Sequence, residues 1–513
     1  MSLAKAWRRA TPFLIFNCIV FLQGAILFGI DTGSFGSLQA LPSFLRVFGV
    51  QDGKTYSLPP TRKALMNSLP WIGKISGCFA AEPTIERIGY KKTMYLVSIV
   101  QIIAVVIEMS GTHWVQFTVG RIVAYYAVGV VENAVPAFNA EISPAAMRGI
   151  LSGSLMVLTT VGNIWGAAMS RAFSTTVTRE GWLVPVSMQF VPALGLLALV
   201  PFTVESPRWL VLHHRKSEAK AALDRIRPKH EVEKGNTQAE LDAIEMLIEE
   251  SLANEQGSWF DLFRGNYLMR TWICVTLFAF EQTNGNQFVQ SYAPTFYVQQ
   301  GFGAASFTYT IVGQCVGLVG CAIGIVLFDI TGRRPLFIGG IAMCAFLLYL
   351  ASGLGLDKNP NDNVSNTILA CFILLPAFTR ISGSNCAFLT GAEIGGVRMR
   401  KKIMGFGTGC NVLCAFLVTF VTPYLLPSMG VKIGWIFGSV AAFAIIWAVF
   451  FFPELKGRSL EEVDELFAAK LWAWQFSKYE THGAGHLVAA LENEGVFDKG
   501  PAVEQSEAET KAQ

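Results

Sequence analysis

Long apolar runs constrain this chain more than any other feature. About 20 apolar residues in a helix are enough to cross the hydrocarbon core of a bilayer. Only 15% of the 513 residues are charged, against roughly 25% in soluble domains, so an ordinary water-exposed surface cannot be built from them. We therefore predict an all-α integral membrane protein. The twelve predicted membrane spans are 13–36, 64–82, 93–111, 115–140, 150–171, 182–204, 270–298, 306–328, 336–356, 366–392, 403–427 and 430–452.

The order of these runs divides the chain into two halves separated by a charged stretch. The predicted units are an N-terminal six-helix half at 1–204, a linker at 205–269, a C-terminal six-helix half at 270–452 and a partly disordered tail at 453–513. Apolar residues recur at helical spacing in the linker, at Leu241, Ile244, Leu247 and Ile248. This spacing predicts amphipathic helices that lie on the cytoplasmic side of the bilayer.

Lysine and arginine residues in the short loops predict the orientation, because cytoplasmic loops carry the excess of these residues. The richer side includes the basic N-terminus and the loops after the second, eighth and tenth runs. We therefore expect a multi-pass protein of the plasma membrane with both termini in the cytoplasm. On the opposite side, Asn363-Val-Ser365 forms a sequon, so Asn363 is a predicted glycosylation site.

The same composition excludes several classes of function. A net charge of +3 gives no electrostatic basis for binding nucleic acid. All ten cysteines lie in apolar runs, and Cys410 and Cys414 have no neighbouring histidine, so neither a disulfide framework nor a metal site is predicted. Asp31-Thr-Gly33 matches the aspartic-protease signature, but the chain lacks the second such motif that this chemistry needs. We predict no enzyme activity, no cofactor and no obligate protein partner.

Charged motifs recur in the two halves at a spacing of about 250 residues. The stretch after Glu86 is echoed after Asp329, the stretch after Glu141 is echoed after Glu393, and Glu205 is echoed by Glu454. Three pairs at nearly one spacing indicate two homologous halves. Such an internal repeat is typical of secondary transporters, which hold their substrate between the repeats.

These motifs resemble the sugar porter family of the major facilitator superfamily, and the run from Gly285 to Tyr297 is similar to its fungal branch. The matching segments are 120–121, 136–149, 205–210, 329–336, 393–400 and 453–462, in family order. The resemblance implies the major facilitator fold, with two pseudo-symmetric six-helix halves and a cytoplasmic helical linker. It also implies alternating access to a sugar or sugar-like solute bound between the halves.

The repeated acidic and basic residues lie at predicted cytoplasmic helix ends. We predict that they form gating salt bridges that latch the halves together on the inside while the outside is open. The alternative is solvated loop charge, in which each pair contributes less than about 1 kcal/mol. The predicted gating residues are Glu86, Arg87, Glu141, Arg148, Glu205, Arg208, Asp329, Arg333, Glu393 and Arg400.

Two charges inside the first half have the properties of a proton-coupling pair. Asp31 lies in the first apolar run and Arg121 in the fourth. Ionisable groups in a membrane are expensive and need a function, and the resemblance implies that an acid and an arginine at these positions couple transport to protons. We predict that Asp31 carries the proton and Arg121 modulates it; the alternative is a static salt bridge. The proton would be the coupling ion.

The resemblance places the substrate between helices 5, 7, 8 and 10, where this chain departs from the family pattern. Gln282 and Gln287 keep the amides that suit sugar hydroxyls, and Phe388 stands where the family has a stacking tryptophan. Met156 and Gly317 replace the family's glutamine and asparagine.

Two charges, Glu281 and Arg380, also appear at positions that the resemblance places in the cavity. Either they neutralise each other, or they bind a charged substrate such as an oxidised sugar. Lys74 and Glu132 are unusual inside apolar runs and belong to an unassigned polar network.

The leading hypothesis is therefore a proton-driven transporter of a sugar or sugar-like solute. An exporter of a small polar or charged metabolite on the same fold is the first alternative. A non-transporting nutrient sensor is the second, and the short tail argues against it.

Overall fold

The structure is a computed structural model, and it describes residues 11–53, 55–143, 145–253, 258–357, 361–456, 458, 460–469, 471–476 and 479. The side chains of Arg148, Leu247 and Asp329, and most of the predicted disordered tail, lie outside the described part. The described chain is helical apart from loops and one short hairpin, in which Val50–Asp52 pairs antiparallel with Thr55–Ser57.

The N-terminal half begins with a well-capped helix. The side chain of Thr11 accepts a hydrogen bond from the Leu14 N–H at 3.1 Å, and Pro12 occupies the first helical position, where its missing N–H is harmless. The helices of this half are α1 (Pro12–Leu38), α2 (Pro42–Phe48), α3 (Pro60–Met109), α4 (Trp114–Ile142), α5 (Ala145–Ala172), α6 (Glu180–Ser187) and α7 (Phe190–Leu199).

The linker consists of four helices that pack against the N-terminal half. They are α8 (Pro207–Leu212), α9 (Lys216–Ile226), α10 (Lys229–Glu233) and α11 (Asn236–Ala253). Leu241 of α11 is buried in the same apolar cluster as residues of α1 and α4, and Ile244 and Ile248 pack on that cluster. Arg227 links α11 to the end of α4. It donates to the Ile142 carbonyl at 2.9 Å and to both carboxylate oxygens of Glu240. The predicted amphipathic helix is therefore present.

The C-terminal half repeats the pattern, with interruptions in two of its spans. Gly285 separates the first two helices with φ of 92°, a conformation that glycine adopts without strain. A π-helical turn, Arg380–Ser384, interrupts another span. The helices are α12 (Gly265–Thr283), α13 (Asn286–Gln299), α14 (Ala305–Thr331), α15 (Arg333–Leu354), α16 (Asp362–Thr379), α17 (Asn385–Ile394), α18 (Gly396–Met429), α19 (Ile433–Phe451) and α20 (Leu460–Ala468).

Among the described residues, eight helical stretches are long and apolar enough to cross a membrane. Two of these stretches, Pro60–Met109 and Arg398–Phe451, each contain two of the predicted spans. The helix direction changes inside the first of them at Gly89, which has φ of 84°. The exact count of twelve and the domain boundaries stay predictions.

The two halves meet along three helix pairs, α1 with α13, α5 with α14, and α3 with α18. At the Leu38 end of α1, the Gln39 amide donates to the Ser291 carbonyl at 3.4 Å and Phe307 joins the aromatic cluster around Phe35. Deeper in the molecule, Trp71 and Tyr125 pack against Val412 and Ala415. The interface between the halves therefore contains the residues from which a transport site can be built.

Candidate transport site

Asp31 and Arg121 form a buried bidentate ion pair. The Arg121 Nη2 donates to Asp31 Oδ2 at 2.8 Å and its Nε donates to Oδ1 at 3.3 Å, and both side chains are at most 3% exposed. The remaining donors of Arg121 reach the Met66 carbonyl at 2.9 Å and the Tyr125 hydroxyl at 3.1 Å. The predicted contact between these two charges is therefore present, and protonation of Asp31 would remove the main charge that holds Arg121.

A cavity between the two halves lies against this ion pair. Its volume is about 20 Å³, which is room for one or two water molecules and too little for a sugar. The access routes therefore have to open before a solute can enter. The cavity is lined by Thr32, Phe35, Gly36, Asn67, Trp71, Arg121 and Tyr125 from the N-terminal half and by Gln287, Gln290 and Ser291 from the C-terminal half.

Glu281 and Gln282 belong to a separate polar cluster in the C-terminal half. The Glu281 carboxylate accepts hydrogen bonds from the Gln282 amide at 2.6 Å, from the Ser384 hydroxyl at 2.9 Å and from the Asn411 amide. Gln282 also donates to Asn411 Oδ1 at 3.1 Å, while its own carbonyl oxygen has no partner in the described part of the chain. Three neutral donors satisfy Glu281 without any cation.

Arg380 does not form an ion pair with Glu281. Its Nη1 donates to the Thr160 hydroxyl at 2.5 Å and its Nη2 to Gln314 Oε1 at 3.3 Å. Gly317 lies directly beside it, since a Cβ built there would be 3.0 Å from Nε. The two departures at 317 and 380 thus explain each other, because the glycine makes room for the arginine. The hypothesis that Glu281 and Arg380 neutralise each other by a direct salt bridge is wrong for this structure.

The unassigned charges Lys74 and Glu132 pair with each other. Their Nζ–Oε2 distance is 3.0 Å, and the ammonium group lies over the rings of Phe28 and Trp71 at 4.8 and 5.1 Å from the ring centroids. Glu132 also lines a second small cavity together with Met156. This pair belongs wholly to the N-terminal half.

Phe388 packs on its own half. Its ring meets that of Phe278 edge to face at 5.0 Å, and the side chain is half-buried against the apolar core of the C-terminal half. A solute that stacks on Phe388 would use the part of the ring that is left exposed.

At the predicted cytoplasmic ends, a glutamate caps a helix start in each half. Glu205 accepts from the N–H groups of Tyr90 and Lys91 at 2.9 and 3.1 Å, directly after Gly89. Glu454 accepts from the N–H groups of Arg333 and Arg334, both at 3.0 Å, directly after Gly332. Burial raises the pKa of Glu205, and these backbone N–H groups oppose that rise.

The partners of the other two repeated glutamates differ between the halves. Glu393 forms an ion pair with Arg333 at 2.7 Å. Glu141 instead accepts from the Tyr90 hydroxyl at 2.9 Å and from the Ser206 hydroxyl.

Each of these hydrogen bonds stays within one half. Between the halves, within the described part of this end, the ion pair found is Lys401 with Glu82 at 3.7 Å, and both side chains are at least 67% exposed. Glu86, Arg87, Arg208 and Arg400 are exposed. The gating latch between the halves therefore stays a prediction for another conformation.

Several polar residues of the site were not predicted. Four of them form hydrogen bonds to Glu281 or Arg380: Asn411, Thr160, Gln314 and Ser384. Glu108 is fully buried near the coupling pair, and the Gln189 amide lies 3.5 Å from its Oε2. A signal existed for Glu108 and Asn411, because each interrupts an apolar run. Asn363 is exposed in the first turn of α16, and its glycosylation stays a prediction.

Comparisons with known proteins agree with this architecture. The family model described as "Sugar (and other) transporter" matches residues 16–467. The low-affinity glucose transporter HXT3 of Saccharomyces cerevisiae is 29% identical, over 92% of this chain and 86% of its own length. HXT1 of the same yeast, also named a low-affinity glucose transporter, is 28% identical, over 90% of this chain and 83% of its own length.

The structural comparison gives the same fold. The xylose transporter XylE of E. coli in an inward-open conformation superposes with a TM-score of 0.73 at 21% identity, covering 88% of this chain and 100% of XylE. A structure of XylE bound to 6-bromo-6-deoxy-D-glucose, which is described as a major facilitator proton:xylose symporter, gives a similar result. It superposes with a TM-score of 0.69 at 20% identity, covering 89% of this chain and 99% of that one. The fold is therefore the major facilitator fold.

The family match spans nearly all of the apolar runs and both copies of the repeated motifs. The chain is a multi-pass membrane protein that belongs to the sugar (and other) transporter family, and it is a transporter rather than an enzyme.

Proposed function

We propose that the chain carries a sugar or sugar-like small polar solute across the plasma membrane by proton symport, with both termini in the cytoplasm. The observation that carries the proposal is that Arg121, bound to Asp31, lines the same cavity as Gln287. The partner of the proposed proton acceptor and the amide expected to bind sugar hydroxyls thus line one space between the two halves. The names of the glucose transporters and of the proton:xylose symporter are consistent with this chemistry.

The ion pair suggests how proton and solute are coupled. While Asp31 is charged, two hydrogen bonds hold the Arg121 guanidinium in the cavity wall. Protonation of Asp31 neutralises the carboxylate and weakens this hold. Arg121 then keeps its bonds to Met66 and Tyr125, and the wall next to Gln287 can rearrange. A proton and a solute that both favour this rearranged state stabilise it together.

The cavity offers the groups that a polyhydroxylated solute needs. Gln287 and Gln290 each provide an amide donor and an amide acceptor, and Trp71 provides an aromatic face. In the proposal, Gln282 and Phe388 complete the site from the C-terminal half when the cavity opens. Met156 contributes an apolar wall in the second cavity.

The proposal is tested by uptake of labelled glucose and xylose into proteoliposomes, with and without an inward proton gradient. We expect the gradient to raise uptake in the native protein and to have no effect in Asp31→Asn. Glu180→Gln, which removes an exposed carboxylate outside the cavity, is the matched control and should keep the response. Uptake that is indifferent to the gradient in the native protein would contradict proton symport, and no sugar uptake by correctly folded protein would contradict sugar transport.

A further inference from the structure

Arg380 is a cation in a membrane-spanning segment that lacks a carboxylate partner. Its partners are the Thr160 hydroxyl and the Gln314 amide oxygen, and its Nε is buried without a hydrogen-bond partner in the described chain. Neither partner is a carboxylate, and no salt bridge of Arg380 is found among the described residues. A charged side chain in a membrane is costly even on insertion scales, so its retention needs a reason.

Two other intramembrane cations with buried head groups have carboxylate partners. Arg121 binds Asp31 at 2.8 Å, and Lys74 binds Glu132 at 3.0 Å. Glu281 lies in the same half as Arg380, but its oxygens already accept from Gln282, Ser384 and Asn411. Arg380 thus has no directly bonded carboxylate in the described chain, because Glu281 is hydrogen-bonded to these three neutral groups instead.

The unused edge of Arg380 is the edge that binds carboxylates elsewhere in this protein. Arg121, Arg215 and Arg227 each hold a carboxylate through Nε and Nη2. In Arg380 the same edge carries only one long bond of 3.3 Å to an amide. Gly317 lies against this edge, so a side chain at 317 would crowd Nε. The guanidinium edge matches the two oxygens of a carboxylate in spacing and direction.

Arg380 also connects the two halves of the transporter. Thr160 belongs to α5 of the N-terminal half, whereas Arg380 begins the π-helical turn of the C-terminal half. Separation of the halves at this point breaks the bond to Thr160 and exposes the guanidinium. The same π-helical turn ends at Ser384, which holds Glu281 beside Gln282 and Asn411. A π-helical turn inside an α-helical span frequently marks a functional site.

We propose that Arg380 is a specificity residue for an acidic sugar, a solute with several hydroxyls and one carboxylate. The carboxylate binds the Nε/Nη2 edge of Arg380, and the hydroxyls bind the amides of Gln282 and Asn411. This inference rests on the proposed function, since it specifies the class of sugar-like solute carried. It also gives a role to the paired departures from the family pattern at 317 and 380.

The test compares labelled galacturonate with labelled glucose in the same proteoliposomes. We expect the native protein to take up galacturonate in preference to glucose. Arg380→Gln should reduce galacturonate uptake by roughly 30-fold or more, because it removes one partner of a desolvated charge pair, and should change glucose uptake far less. Gly317→Ala should shift the preference in the same direction by a smaller factor, since its Cβ crowds Nε.

Arg171→Gln is the matched control for the charge and for the contact between the halves. Arg171 also donates to a threonine across the interface, from Nε to Thr308 Oγ1 at 2.9 Å, but it does not line the cavities described above. It should keep the galacturonate preference. Gly317→Ala keeps the proposal testable if Arg380→Gln fails to reach the membrane in folded form.

The outcomes separate this inference from the proposed function. Glucose uptake without galacturonate uptake in the native protein would overturn the inference and leave sugar transport standing. Galacturonate uptake that is unchanged in both Arg380→Gln and Gly317→Ala would also overturn it. Uptake of neither solute would contradict both proposals.

Discussion

The two halves share a backbone frame but distribute their charges differently. In each half a glutamate caps the helix that follows a glycine of positive φ, Glu205 after Gly89 and Glu454 after Gly332. The neighbouring glutamate then meets a phenol in the N-terminal half and an arginine in the C-terminal half. The repeat therefore preserves the capping of a helix start, while the partner of the second carboxylate is free to change.

The contrast is stronger inside the membrane. The N-terminal half contains two closed ion pairs, Asp31 with Arg121 and Lys74 with Glu132. In the C-terminal half, Glu281 and Arg380 are each bonded to neutral groups only. Ion pairs in which both charges are matched suit a half that stores and releases a proton. Charges bonded only to neutral groups suit a half that recognises the solute. The following experiments test this division.

The largest loss of unfolding free energy should come from removing one partner of a buried ion pair. Glu132→Gln leaves the buried Lys74 ammonium without its carboxylate, and we expect a loss of about 3–5 kcal/mol in unfolding free energy. Glu281→Gln should lose much less, about 1–2 kcal/mol, since its hydrogen-bond partners are all neutral. Denaturant unfolding in detergent compares the two variants. Equal losses would contradict the distinction between the halves.

The glutamates that cap a helix start should contribute equally to stability in both halves. Glu205→Ala and Glu454→Ala each remove the acceptor of three backbone N–H groups, so each should lose about 2 kcal/mol. Thermal unfolding in detergent provides the measurement, with Glu86→Ala, an exposed neighbour, as the unaffected control. A loss in one half only would show that the capping role is not repeated.

A smaller effect should separate the two partners of the second glutamate. Tyr90→Phe removes one neutral hydroxyl donor, for an expected loss of about 1 kcal/mol that does not depend on salt. Arg333→Leu removes an ionic partner, so its loss should be larger and should shrink as salt rises. Unfolding at low and high ionic strength measures both. The account is contradicted if the two losses show the same salt dependence.

The smallest effect is expected at the exposed contact between the halves. Lys401→Ala should leave uptake within about twofold of the native rate, since solvent screens an ion pair at this exposure. Glu82→Ala should behave in the same way. A large change in uptake in either variant would mean that this pair acts as a latch.

The fold was largely predictable because apolar runs and repeated motifs are local signals. One feature changed the picture of the spans, and it depends on backbone conformation. Gly285 breaks a span that reads as one run, whereas the non-helical Gly89 lies between two spans that were predicted separately. The charged side chains at the predicted cytoplasmic ends were predicted as charge pairs. Glu205 and Glu454 instead accept hydrogen bonds from backbone N–H groups, which carry no sequence signature.

The candidate site was predictable only where residues pair by type. An aspartate and an arginine in neighbouring spans have few alternatives, and Asp31 and Arg121 do meet. Arg380 finds Thr160, which is 220 residues away along the chain, and Glu281 finds Asn411 at a separation of 130 residues. Charge alone favoured pairing Glu281 with Arg380. In the folded chain the Glu281 carboxylate accepts hydrogen bonds from neutral donors instead.

The most direct test of the account measures proton movement together with sugar movement. Glucose is added outside proteoliposomes that have no starting pH gradient, while a dye reports the external pH. The account predicts that the external pH rises on sugar addition with the native protein and stays constant with Asp31→Asn. Glucose entry into native proteoliposomes at constant external pH would contradict proton coupling through the Asp31–Arg121 pair.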